Sequence, residues 1–259
     1  MGVDTALAGG TGLVGSNILT TLGQHSVVDS IYAFGRRDFP QENVAAFSTK
    51  LKPLVSPESS QWPSVLSANL RGIQSHFLFF SALGTTRAQA GGLEYQRKID
   101  HELPVNLAKA LIAEKPESAG GKKSVFVLIS SAGANPHSFL AYPKMKGETE
   151  EEIKGLLKSE NNQHGLDHVV ILRPGLIVGT RREQDSRPAE WLLRKVATFA
   201  GSLLGNTFKD FWAQDADVIA KAAVSAALLC SEGQHQEPVW VLGQSDIVRL
   251  GRTEWNKSR

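Results

Sequence analysis

Tyr142-Pro-Lys-Met-Lys146 sets a phenol four residues ahead of an ammonium, with Ser130 and Ser131 a short way upstream. On a helix, positions i and i+4 share a face about 6 Å apart, so Lys146 can lie beneath Tyr142. Tyrosine alone is a reluctant acid–base group, with an ordinary pKa of about 10, and a neighbouring positive charge draws that value down. The hydroxyl of Ser131, held at a strand end, could hydrogen-bond a substrate oxygen and keep it in line. The three side chains together suit proton delivery to the oxygen of a carbonyl undergoing reduction. Spacing alone does not carry this. With three tyrosines and fifteen lysines, composition yields a Tyr-x-x-x-Lys with odds of roughly one in six. Pro143 favours a first helical turn and is expected to push Tyr142 out of helical dihedrals, leaving it at the helix entrance.

A reductant would have to sit beside such an acid. Gly9-Gly10-Thr11-Gly12-Leu13-Val14-Gly15 follows the first apolar run and opens a helical pattern. A diphosphate needs close backbone approach, free N–H groups and the positive end of a helix dipole; glycines supply the first and a helix start the others. Gly9, Gly12 and Gly15 are spaced Gly-x-x-Gly-x-x-Gly, and Thr11, Leu13 and Val14 complete the cradle. At the end of the second apolar run stand Gly35-Arg36-Arg37, where an NAD enzyme usually offers a carboxylate. Guanidinium groups suit a ribose 2′-phosphate, so NADPH/NADP is the expected cofactor. Ser81-Ala82-Leu83-Gly84 is either a small turn against the cofactor's ribose and ring or a plain strand-to-helix connection. Backbone groups of Arg173-Pro174-Gly175 could fix the nicotinamide amide.

These segments need a frame. Strands are predicted at Val3–Ala8, Ser30–Gly35, Lys52–Val55, His76–Ser81, Val125–Ser130, His168–Leu172 and Val239–Leu242. Helical spacing runs through Val14–Leu22, Glu94–Ala113, Lys144–Leu157 and Ala216–Leu229. Near-continuous apolar strands alternating with helices indicate an α/β fold, a Rossmann-type doubly wound parallel sheet forming a single domain over residues 1–259. Residues 181–215 break the rhythm and are expected to form a small cap or lid. Within them Trp191, Leu192, Val196, Phe199 and Leu203 make an apolar stripe. Core packing is its first reading; a lid over substrate, a homodimer face or a membrane-surface contact are the sharper ones.

Composition narrows the classes. A net charge of +2 is too weak a bias to imply nucleic acid as a partner. A single cysteine, Cys230, excludes an intramolecular disulfide framework and any cysteine metal cluster, and its alanine- and leucine-rich setting reads as a small buried hydrophobe. His101, His137, His164 and His168 lack ligand spacing, so no metal site is expected. No stretch is long and apolar enough to span a bilayer, and the first residues resemble neither a signal peptide nor an amphipathic presequence. A cytoplasmic protein is the plain expectation.

Read in order, GGTGLVGS, FFSALGTTRAQAGG, QRKID, VLISSAGA, FLAYPKMKGE, ILRPGLIVG, KDFWAQDADVIA and LGRTEW resemble an atypical branch of the short-chain dehydrogenases/reductases. The order is similar to the fungal "found in mitochondrial proteome" family, relatives of the animal Tat-interacting oxidoreductases. That resemblance implies a Rossmann-type domain, an NADPH site and a peripheral place on the mitochondrial outer membrane. It makes Tyr142 and Lys146 the catalytic pair and Ser131 the third member. Asp100 falls where many relatives carry asparagine, which puts a proton relay through that helix in question. The expected activity is NADPH-dependent reduction of a small carbonyl substrate. An NADPH-binding regulatory protein with little turnover, or a non-redox isomerase or cyclase, stays open.

Overall fold

The computed structural model describes residues 2–71, 73, 75–114, 122–159, 164–178 and 213–255. The expected cap over 181–215, with its apolar stripe, lies outside the described residues except for Ala213–Asp215. The strands are β1 (Val3–Ala8), β2 (Val28–Gly35), β3 (Leu51–Val55), β4 (His76–Ser81), β5 (Ser124–Ile129), β6 (His168–Leu172), β7 (Leu176–Val178), β8 (Ala213–Asp215) and β9 (Val239–Leu242). Seven of them form one parallel sheet in the order β3-β2-β1-β4-β5-β6-β9, and β7 pairs with β8 in a separate parallel ribbon. The helices are α1 (Leu13–Gln24), α2 (Gln41–Ala46), α3 (Trp62–Leu70), α4 (Arg87–Ala90), α5 (Leu93–Arg97), α6 (Leu103–Ala113), α7 (Ala141–Lys154), α8 (Ala216–Ser231) and α9 (Gln244–Val248).

Side chains alternate faces along each strand, so two cores result. Leu7, Leu78, Phe80, Val125, Val127 and Val170 point to one face, covered by α1 and α8. Ala6, Phe79, Phe126, Leu128 and Ile171 point to the other, covered by α3, α6 and α7. Phe79 and Phe126 stack there at 5.0 Å between ring centroids. Burial on both faces is why these strands read as unbroken apolar runs. Small side chains at Ala222, Ala223, Ala226 and Ala227 bury the middle of α8 completely. Cys230 ends that stripe, also buried, and burial pushes its thiol up to about 12. It is an inert hydrophobe, as its setting suggests.

Each predicted strand lies within two residues of its observed bounds. The long pattern Glu94–Ala113 is not one helix but α5, a π-helical turn at Lys98–Glu102, and α6. Pro104 explains the widening. It has no N–H to give the carbonyl of Asp100, four residues back, so the ladder must loosen there. The hydroxyl of Thr149 approaches that carbonyl at 3.5 Å. Helix α3 went unpredicted, although Trp62, Leu66 and Leu70 are its buried stripe.

His25, His101 and His168 are buried. Burial lowers each pKa from its usual 6.5, helped by Lys50 beside His25 and Arg97 beside His101. A depressed folded value means the unfolded chain binds protons first as pH falls. The histidine contribution is therefore complete above 6.5 and is lost below it, down through the lowered folded values. Urea unfolding at about pH 7.5 and about pH 5.5 should show the midpoint falling with pH, and His25→Asn should flatten that fall.

Candidate active site

The carboxyl ends of β1 and β4 lie side by side at the point where strand order reverses, with Ala8 opposite Ser81. Crevices at such points are where open α/β sheets take ligands. Gly9 turns the chain with φ +91°, and a Cβ on it would lie 2.5 Å from the carbonyl oxygen of Ala82. Gly15 is held as tightly, since a Cβ there would strike the carbonyl of Gly9. The N–H of Gly12 donates to that same carbonyl at 2.9 Å, and Gly12 caps α1 without any side-chain bond. The result is a backbone concavity with an uncapped helix start, a fit to a phosphate. Thr11 is exposed at its lip, whereas Leu13 and Val14 turn their side chains toward the core and can offer only backbone.

At the end of β2, Arg36 and Arg37 are exposed, and neither makes a hydrogen bond or ion pair to a described residue. Two unneutralised guanidinium groups beside the glycine turn suit a second phosphate. Beyond β4, the N–H of Ala82 donates to Ala8 at 2.9 Å. Leu83 is buried in the core and Gly84 stands in open space. Any contact of this turn with a cofactor is through Ala82 and the backbone, since the Leu83 side chain is already packed.

Helix α7 brings the acid. Leu140 is its N-cap, so Tyr142 lies inside the first turn and Pro143 follows it there. The expected expulsion of Tyr142 from helical dihedrals does not occur. First-turn N–H groups have no intrahelical acceptor, so the proline removes nothing the helix needs. Tyr142 and Lys146 therefore do share a helix face. Their environments differ from expectation. Lys146 is buried and donates to the carbonyl of Ile129 at 3.3 Å. Burial lowers its pKa, while Asp100 and Glu150 oppose that. Tyr142 keeps 42% of its surface exposed. Burial first, and then the Asp100 carboxylate, push the phenol up to about 12 rather than down. Its hydroxyl meets no described partner. Phe139 and Leu140 stand fully out from the loop just before it.

The serine pair divides its work. Backbone pairing continues past β5, from Ser130 N–H to Leu172 and from Ala132 N–H to Pro174, so the two hydroxyls point to opposite sides. Ser130 is buried and donates to Glu150 Oε1 at 2.5 Å. Ser131 is partly exposed, and its hydroxyl has no described partner. Glu150 also takes Arg173 in a forked pair, Nη2 to Oε2 at 2.5 Å and Nε to Oε1 at 3.1 Å. This tie fastens α7 to the ends of β5 and β6. Around it, the N–H of Gly175 donates to Gln214 Oε1 at 2.7 Å, and the Pro174 carbonyl already accepts Ala132. Of the backbone groups expected to hold a nicotinamide amide, the Gly175 N–H and the Pro174 carbonyl already have protein partners. Among the described residues no cluster could hold a metal ion, and no helix is long and apolar enough to cross a membrane.

A family model described as HIM1 matches residues 69–199. Protein fmp52-1, mitochondrial, of Aspergillus terreus is 49% identical over 95% of this chain and 98% of its own length. The chain belongs to the HIM1 family of Fmp52-like proteins. Solved structures share the fold at low identity. A short-chain dehydrogenase from Streptomyces avermitilis has TM-score 0.60 at 20% identity, covering 98% of this chain and 96% of that one. A 3-oxoacyl-[acyl-carrier protein] reductase from Brucella melitensis in complex with NAD has TM-score 0.65 at 15%, covering 94% and 96%. BdcA in complex with NADPH has TM-score 0.61 at 14%, covering 94% and 93%. This HIM1 member thus shares the Rossmann-type fold of the short-chain dehydrogenases/reductases.

Sequence reasoning passed over Glu150 and the side chain of Arg173. The available signal was position: Glu150 lies four residues beyond Lys146 and eight beyond Tyr142, on the same face of α7. Arg173→Ala would leave Glu150, 1% exposed, with a buried charge short of its partner. The expected loss is roughly 2–3 kcal/mol in urea unfolding, less than for a fully buried pair because Arg173 is a third exposed. Removing both charges, as Glu150→Met with Arg173→Leu, should recover part of that loss.

Proposed function

We propose that this HIM1 protein is an NADPH-dependent reductase of a small carbonyl compound. The observation that carries the reading is a convergence at one sheet edge. A glycine cradle with an uncapped helix, two partnerless arginines and the partnerless hydroxyl of Ser131 follow the carboxyl ends of β1, β2 and β5, and the partnerless hydroxyl of Tyr142 lies in the first turn of α7, the next helix after β5. NADPH, when bound, supplies hydride to the carbonyl carbon. Gly9, Thr11, Gly12 and Gly15, with the backbone of Leu13 and Val14, would hold its diphosphate, and Arg36 and Arg37 the 2′-phosphate. Ser131 donates a hydrogen bond to the carbonyl oxygen and orients it. Tyr142 gives its phenolic proton to that oxygen as the C=O π bond opens, leaving an alcohol and a phenolate. Lys146 supplies positive charge beneath the phenolate. Relatives named mitochondrial motivate placing the protein at that organelle, peripherally on the outer membrane.

A binding protein without turnover is the competing reading, favoured by the withdrawal of Lys146 to the Ile129 carbonyl. Incubating the protein with NADPH and a panel of aldehydes and ketones separates the two; NADPH binding with no carbonyl consumed would favour the second. Tyr142→Phe should cut turnover by about 10²- to 10⁴-fold and leave NADPH affinity nearly unchanged. Arg36→Ala with Arg37→Ala should weaken NADPH about tenfold or more while NADH affinity barely moves, read by fluorescence titration of each nucleotide.

A further inference from the structure

The chain that joins the two free hydroxyls of the site carries no charged side chain. From Ser131 to Pro143 it reads Ser-Ala-Gly-Ala-Asn-Pro-His-Ser-Phe-Leu-Ala-Tyr-Pro, without an aspartate, glutamate, lysine or arginine, in a protein that is 21% charged. This run is also fixed in place. The N–H of Ala134 donates to the Ser131 carbonyl at 3.0 Å and that of Ser138 to Asn135 at 3.0 Å. The N–H of Asn135 donates to the Pro143 carbonyl at 3.0 Å, which closes the loop on the first turn of α7. The Asn135 side chain accepts the His137 N–H at 2.9 Å, and the Ser138 hydroxyl accepts that of Leu140 at 3.2 Å. One turn further along α7, Gly147 leaves no room for a Cβ against the backbone of Asn135 and Pro136. A loop so tightly held nevertheless turns Phe139 and Leu140 outward, 107% and 69% exposed. Burying either would be favourable, yet neither folds back on the protein. Leu140 is two residues from Tyr142 and Phe139 three, so their backbones lie within about 11 Å of the phenol's own.

We propose that the carbonyl compound taken by this site is apolar and uncharged away from its C=O group, and that Phe139 and Leu140 bind its hydrocarbon body while Tyr142 and Ser131 meet its oxygen. This rests on the reductase reading given above and narrows it to a substrate class. The physical content is desolvation. A hydrocarbon chain laid over Phe139 and Leu140 takes its own apolar surface and theirs out of water. A carboxylate or phosphate laid there would lose hydration and find no cation on the run to pair with. Arg173, beyond the run, is already held by Glu150, and Lys146 by the carbonyl of Ile129. Because the loop is hydrogen-bonded in this form, little ordering is left for the ligand to impose.

Phe139→Ser with Leu140→Ser removes the apolar face and spares the fold. Both side chains are exposed, and serine is favoured at the N-cap that Leu140 occupies. Oxidation of NADPH is followed with butanal, hexanal and octanal. In the wild type kcat/KM should climb about twofold or more per added methylene. In the double variant the octanal-to-butanal ratio should fall at least about fivefold, with the loss in KM, because hydrocarbon contact is shared by ground and transition states. Succinic semialdehyde, as long as butanal but ending in a carboxylate, should be the poorest substrate of the set. A ratio that the substitutions do not move, or a preference for succinic semialdehyde, overturns the apolar assignment and leaves the reductase reading standing. Light scattering and sedimentation with phosphatidylcholine vesicles, run on both proteins, then show whether the face serves a second copy or a lipid surface instead. If no aldehyde is consumed, binding decides. Prodan, an apolar ketone whose emission shifts to the blue out of water, should bind the wild type at least about fivefold more tightly than the double variant. That result keeps the apolar site and retires the reductase reading alone; equal prodan affinity overturns the apolar site as well.

Discussion

Between Gly9 and the carbonyl of Ala82 there is no room for a methyl group, and the carboxyl edge of the sheet is arranged around that contact. It exists because β1 and β4 are neighbours in register, Ala8 opposite Ser81, where the sheet reverses its order. A glycine with positive φ lets the chain leave β1, pass under the β4 turn and start α1 at once. The same β4 turn then reaches Thr85, whose N–H donates to the buried carboxyl of Asp100 on the π-helical turn packed against α7. The Gly9 turn and the π-helical turn are thus joined through the turn that follows β4.

The second tie is electrostatic. Glu150, buried on α7, gathers Ser130 from β5 and Arg173 from β6, so the helix that carries Tyr142 cannot slide relative to the two strand ends. Holding Ser130 inward leaves Ser131 facing outward with a free hydroxyl. The two buried charges of α7 thus differ: Glu150 is paired with Arg173, whereas Lys146 bonds the carbonyl of Ile129. Satisfied charges fix geometry; unsatisfied ones tune protonation.

Much of the frame was readable from residue order, because strands buried on both faces show as apolar runs and the glycine turn follows the first of them. The Tyr142–Lys146 spacing was readable too, though not what surrounds it. Pro143 looked disruptive only because the sequence does not mark where α7 begins; once Leu140 is the cap, the missing N–H is harmless. Pro104 looked unremarkable, yet the carbonyl of Asp100 loses its i+4 donor there and the helix widens into a π-helical turn. Glu150 sits in a run of glutamates, and nothing local separates the buried one from its exposed neighbours. The direction of Ser130 against Ser131 depends on pairing with β6, which no short motif reports. In each case the missing information was a tertiary partner, not a propensity.

The central claim is that the cradle at Gly9–Gly15 and the hydroxyls of Ser131 and Tyr142 serve one bound dinucleotide. A crystal structure with NADPH tests it most directly. The account predicts the diphosphate over the Gly9–Gly15 turn, the 2′-phosphate between Arg36 and Arg37, and the nicotinamide facing both hydroxyls. A nicotinamide turned away from Tyr142 and Ser131, or a dinucleotide bound elsewhere on the sheet, would contradict it.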